Sequence, residues 1–133
     1  MKRVVSSLSF VLFAGATALR AQNTMTAEVT AAYKGVSANI LKAAEKMPDA
    51  DYAFKPAPPF RNFGQLIAHV ADAQMALCGA AKGEMKRGDA AKKTSKAELV
   101  AALKASSEFC DNAYGGMTDA GCHHRGQQDG ARQ

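Results

Sequence analysis

Apolar residues recur along this chain in steps of three and four, in three separate stretches, and each stretch predicts an amphipathic helix. The clearest runs from Asn62 to Glu84. Phe63, Ile67, Val70, Gln74, Leu77 and Ala81 form its seam, and Leu66, Ala73 and Cys78 widen it. Asn62 is placed to cap the first turn, with Gln65 as its capping-box partner, and Gly83 is placed to end the helix. Ahead of it, Val29, Tyr33, Val36, Ile40, Ala43 and Met47 make a narrower seam, with Lys34, Lys42, Glu45 and Lys46 mostly on the other side. Thr24 or Thr26 can start that helix, and Pro48 stops it. The third stretch opens on the capping box Ser95-Lys96-Ala97-Glu98. Leu99, Leu103, Ser106, Cys110, Ala113 and Met117 carry its seam, with Val100, Phe109 and Tyr114 alongside, up to Gly115-Gly116.

The pattern therefore predicts helices near 26–47, 62–82 and 95–115, with no strand-like alternation and no internal repeat. Short connections predict antiparallel neighbours in an up-down bundle, so the fold class is all-α. Residues 49–61 form a stiff linker with Pro56, Pro58 and Pro59, whose Tyr52, Phe54 and Phe60 are expected to fold back over one end of the core. Residues 86–94 are polar and read as a solvated loop. The last residues, GCHHRGQQDGARQ from Gly121, include no large aliphatic or aromatic side chain and cannot supply an apolar helix face. The fourth helix of such a bundle is missing from the pattern. The domain is accordingly drawn over 24–119, with 120–133 as a disordered, aberrant tail.

The N-terminus changes the meaning of the net charge. Lys2 and Arg3, the apolar run Val4–Ala18 and the small residues Ala16, Ala18 and Ala21 have the layout of a secretory signal peptide over 1–21. A retained N-terminal anchor is the alternative. Cleavage near Ala21 or Gln22 leaves about 112 residues, one small domain, in a secreted or periplasmic location. Without Lys2, Arg3 and Arg20 the chain holds 14 basic residues against 12 acidic ones. No dense basic patch interleaved with aromatics remains, which argues against a nucleic-acid partner. With the leader removed, no stable membrane insertion is expected.

Candidate chemistry is sparse. His69 sits on the border of the central apolar stripe, where an imidazole can point along a helix seam as a metal ligand or simply make one hydrogen bond. A catalytic metal needs about three protein ligands. Within the same helix only Gln65 and Asp72 have donor atoms at helical spacing from His69, and Asp72 reads as a surface or supporting carboxylate. Cys122, His123 and His124 are rich in ligand atoms but adjacent, so their side chains diverge. Cys78 and Cys110 fall on the inner sides of the second and third helices. In an oxidising compartment they can pair as a disulfide, the reading preferred here; the alternative is two buried free thiols. No Ser-His-Asp arrangement, phosphate-binding glycine loop or HExxH motif occurs.

The stretches YKGVSANILKAAEKMPDADYAFKP, RNFGQLIAHVADAQMALCGAAKGE and KAELVAALKASSEFCDNAY resemble the DinB-like superfamily, in particular its secreted bacterial members, over about Thr24 to Asp119. The most specific piece is Gln65-Leu66-Ile67-Ala68-His69-Val70-Ala71-Asp72. The resemblance implies a four-helix bundle that holds a divalent metal, nickel or zinc, with three histidines. One comes from the second helix, where His69 matches, and two from a later HxxxH pair. It also implies a small-molecule or thiol substrate, since relatives include thiol-dependent transferases and isomerases. No HxxxH follows His69 in this chain, and His123 and His124 do not match that spacing. The loss of pattern after Asp119 or Ala120 reads as a truncation or frameshift, which leaves open whether the chain is an enzyme. Two functional readings follow. One is a secreted metal-dependent protein whose metal site is disabled, with weak or absent metal. The other is a non-catalytic helical module in the periplasm, which binds a partner or oligomerises through the uncovered groove.

Overall fold

The structure is a computed structural model and describes residues 24–121. The segment read as a signal peptide, and Cys122, His123 and His124 with the rest of the tail, lie outside the described residues. Three helices carry the fold: α1 (Thr24–Lys46), α2 (Phe63–Lys82) and α3 (Lys96–Gly115). Short 3-10 turns at Asp49–Ala53 and Ala90–Lys92 punctuate the two connections. No strand occurs among the described residues, so the all-α bundle is established.

Local chemistry sets the helix ends. At α2, Gln65 N donates to Asn62 Oδ1 at 2.7 Å while Asn62 N donates to Gln65 Oε1 at 3.0 Å. At α3, Glu98 N donates to Ser95 Oγ at 3.3 Å and Ser95 N donates to Glu98 Oε2 at 3.3 Å. Each box satisfies two backbone donors that a helix start otherwise leaves unpaired, worth about 1 kcal/mol per cap. Gly83 closes α2 at φ 78°, a conformation an L side chain enters only with strain. Just beyond α3 another helical turn opens at 119–121, and Gly121 N donates to Thr118 Oγ at 3.2 Å.

The helix directions differ in one respect from the expectation. α1 runs antiparallel to α3: Thr26 N donates to Asp119 Oδ1 at 2.8 Å near one end, and Lys104 pairs with Glu45 at 2.6 Å near the other. α2 and α3, however, run parallel. Gly64 lies against Leu99, Gln74 against Ser106, and Cys78 is bonded to Cys110, so positions advance together along both helices. The connection between them is long enough to return to its starting end. Thirteen residues, 83–95, reach about 43 Å when extended, against about 30 Å for a 20-residue helix. This connection also packs back on α2 and is not a free solvated loop. Asp72 Oδ1 accepts from Ala90 N at 2.8 Å, Asp72 Oδ2 accepts from Ala91 N at 3.0 Å, and Ala90 is buried. Gly88 is required where it passes, because a Cβ there would overlap the Asp72 carboxylate.

α3 lies between the other two helices, and its apolar seam is buried as the sequence predicts: Leu99, Leu103, Ser106, Cys110 and Ala113. The seams of α1 and α2 are turned. Val36 is 59% and Leu77 70% exposed, while the buried faces are mostly small residues, Ser37 and Ala44 on α1 and Gly64, Ala68 and Ala71 beside Ile67 on α2. Small side chains let the helix axes approach, so α3 takes that edge of each neighbour. Met25, Val29, Val36, Leu66 and Leu77 stay exposed, while Ile40, Leu41, Phe63 and Ile67 pack into the core. The linker aromatics also divide. Tyr52 is buried, donates to Ala44 O at 2.6 Å and meets the Phe63 ring edge-on at 5.1 Å. Phe54 and Phe60 remain exposed and do not cover the core, because the proline-rich stretch after the 3-10 turn holds them away from it.

The Cys78–Cys110 bond ties α2 to α3 across 32 residues, with Cα atoms 5.2 Å apart. Closing a loop of that length stabilises the fold by about 3–4 kcal/mol in the chain-entropy account. Thiol titration of the denatured, unreduced secreted protein is expected to find one reactive cysteine, Cys122. Three reactive thiols would reject the bond. Reduction, or Cys78→Ser with Cys110→Ser, is expected to lower the urea unfolding free energy by that amount.

Candidate functional site

His69 sits in the second turn of α2 and is exposed. It is three residues from Leu66 and four from Ala73, so it borders the outer edge of the apolar flank and does not enter a seam between described helices. Its two potential in-helix partners are engaged elsewhere. Gln65 completes the cap of α2, and Asp72 holds the returning connection with both carboxylate oxygens. Asp72 is therefore a structural clamp that the sequence did not reveal, since its partners are backbone amides 18 and 19 residues away. Among the described residues no group of three His, Cys, Asp or Glu side chains is placed to hold a metal ion. One exposed imidazole does not fit a divalent metal, and the described donor set does not make a site for nickel or zinc.

The interior instead holds a polar bridge that sequence periodicity registered only as seam positions. Ser106 Oγ donates to Gln74 Oε1 at 2.6 Å, and Gln74 Nε2 donates to Tyr33 OH at 3.4 Å. Ser37 Oγ donates to Ser107 Oγ at 3.0 Å. These contacts join all three helices beside the disulfide. Burial raises the Tyr33 phenol above its ordinary value of 10.0, with the Ser37 and Ser107 hydrogen bonds opposing and the charge of Asp111 adding. The bridge contains hydroxyls and an amide but no carboxylate or imidazole to act as a base, so its chemistry is structural satisfaction of buried polar groups. At the far end of α2, the Lys82 and Lys86 ammonium groups sit 5.1 and 4.6 Å from the Phe109 ring centre. A cleft of about 560 Å³ opens between the Asp49–Ala53 turn and the start of α2, lined by Tyr52, Arg61, Gln65, Lys93 and Thr94 among others. His69 does not line it.

A helical bundle with a single histidine on its second helix is the class of protein that fold and site define. The sequence model of the DinB superfamily matches residues 32–132, and the chain belongs to that superfamily. The match extends past Asp119, where the resemblance read from the sequence stops, and takes in Cys122, His123 and His124. No curated protein and no solved structure matches the chain. No helix among the described residues is long and apolar enough to cross a membrane.

The tyrosines give the bundle an alkaline limit. Burial raises both Tyr33 and Tyr52, Asp49 adding to the effect at Tyr52. A raised folded value means that the stabilisation is complete below the unfolded value of about 10 and is lost as pH rises through the folded one. Urea midpoints are expected to hold up to about pH 10 and then fall, and Tyr33→Phe is expected to make that fall shallower. An unchanged alkaline slope in Tyr33→Phe would remove Tyr33 as its source.

Proposed function

We propose that the chain is an extracytoplasmic DinB-superfamily protein in which the metal chemistry of that family is disabled. The disulfide between α2 and α3 supports the location, because such bonds persist in oxidising compartments and are rare in the cytosol. The surroundings of His69 carry the metal reading. The imidazole is exposed, and the side chains with donor atoms one turn away on α2, Gln65 and Asp72, are committed to a helix cap and a backbone clamp. Any tight site must draw its other ligands from outside the described residues, where Cys122, His123 and His124 are the available groups. Bringing them to His69 requires ordering several residues, at about 1–2 kcal/mol each in backbone entropy, which opposes the metal bonds. Nickel or zinc, and a small-molecule or thiol substrate, remain the chemistry expected of an intact family member.

The alternative reading, a non-catalytic helical interaction module, is favoured by one observation: the apolar flank of α1 and α2 that nothing described covers.

Calorimetric titration of the purified secreted chain with zinc and nickel tests the metal reading. We expect no tight site. Weak zinc binding, where it occurs, is expected to disappear in His123→Ala/His124→Ala and to survive His69→Ala. Asp72→Ala is expected to leave it unchanged while lowering stability by about 1–3 kcal/mol, the cost of unpairing the two clamped amides. Stoichiometric tight binding that requires His69 would overturn the proposal.

A further inference from the structure

The exposed flank has a definite shape. On α1 it carries Met25, Val29 and Val36, which are 64%, 50% and 59% exposed; on α2 it carries Leu66 and Leu77, at 48% and 70%, with Val70 half-buried between them. The α3 seam beneath is already sealed, since Leu103 and Cys110 are 0% exposed and Gln74 of α2 reaches Tyr33 of α1. What remains is a shallow two-helix face with no charged residue among these six. Such a face fits another pair of helices better than a single inserted one. Five large apolar side chains, each about half exposed or more, reach the upper end of the roughly 300–600 Å² that monomers leave uncovered.

We propose that this face is covered by a second copy of the chain, so that α1 and α2 of two copies stack as an intermolecular four-helix layer about a two-fold axis. Three observations select this occupant. The C-terminal segment Cys122–Gln133 cannot replace it, because its apolar content is limited to Cys122 and Ala131. With its alanine rim the patch approaches the roughly 800 Å² per partner of a specific interface. The charges beside the α1 strip are also self-complementary. Glu28 and Lys46 are 18 residues apart, about five helical turns, and so lie on the same side of α1 at opposite ends. Neither takes part in an ion pair among the described residues. Antiparallel pairing of α1 with its copy, centred at the level of Ser37, sets Glu28 of each copy across from Lys46 of the other. An isologous contact requires that reciprocity. The proposal is independent of the metal reading, and its test measures no metal.

Sedimentation velocity on the secreted chain, without metal and over a concentration series, tests it. The wild-type chain is expected to be a dimer. Val36→Glu and Leu77→Glu, both at exposed positions, are expected to weaken dimerisation by about tenfold or more with helical circular dichroism unchanged, as loss of a central interface contact does. Glu28→Lys is expected to weaken the dimer, and adding Lys46→Glu in the same chain is expected to restore it. That charge swap keeps the test decisive should either glutamate variant fold poorly. A wild-type chain that stays monomeric throughout the series overturns the proposal. So does a dimer indifferent to both glutamate variants and to the charge swap.

Discussion

The packing of α3 against two neighbours at once is the constraint from which the rest of this bundle follows. Its seam of Leu99, Leu103, Ser106, Cys110 and Ala113 is sealed on both sides, by α1 running antiparallel and by α2 running parallel. The parallel pair is the unusual element, since two helices close in sequence generally pack as an antiparallel hairpin. Three features hold it: the Cys78–Cys110 bond, the Gln74–Ser106 hydrogen bond, and the Asp72 carboxylate that binds the returning connection. Loss of the Asp72 contact would free the chain that carries α3 back to its starting end.

The same arrangement decides what surface remains. α3 engages the small-residue edges of α1 and α2, where the backbones can come close. Part of the apolar arc, Met25, Val29 and Val36 on α1 and Leu66 and Leu77 on α2, is thereby left on a common flank. His69 of α2 borders that flank, and it belongs to no group of three potential metal ligands among the described residues. The features that would support chemistry and those that would support association therefore lie on one side of the molecule, while the opposite side is occupied by the clamped connection.

Short-range signals were legible in the sequence. Both capping boxes, the glycine stop at Gly83, the all-helical class and the α3 seam are read from residues within a few positions of one another, and they hold because the groups involved meet within one or two turns of the same helix. The amphipathic periodicity of α1 and α2 was also real, but it marked an apolar arc wider than one neighbour can cover. Periodicity alone marks the centre of that arc as the buried line. Phe54 and Phe60 failed for a similar reason: apolar character says that burial is favourable, not that the backbone can deliver it.

Local pattern by itself determined three helices, two of them with capping boxes, and a single helical histidine without an HxxxH partner, and the resemblance of those stretches pointed to the family. Only the tertiary structure decided that α2 and α3 run parallel, that Asp72 is a clamp and not a ligand, that Gln74 bridges three helices, and which half of each apolar arc is used. The physical reason is range. Helix formation and capping depend on groups a few residues apart, which the sequence displays directly. Direction, pairing and burial depend on which distant surfaces can approach most closely, and here the small residues of α1 and α2, invisible as a hydrophobic signal, set that approach.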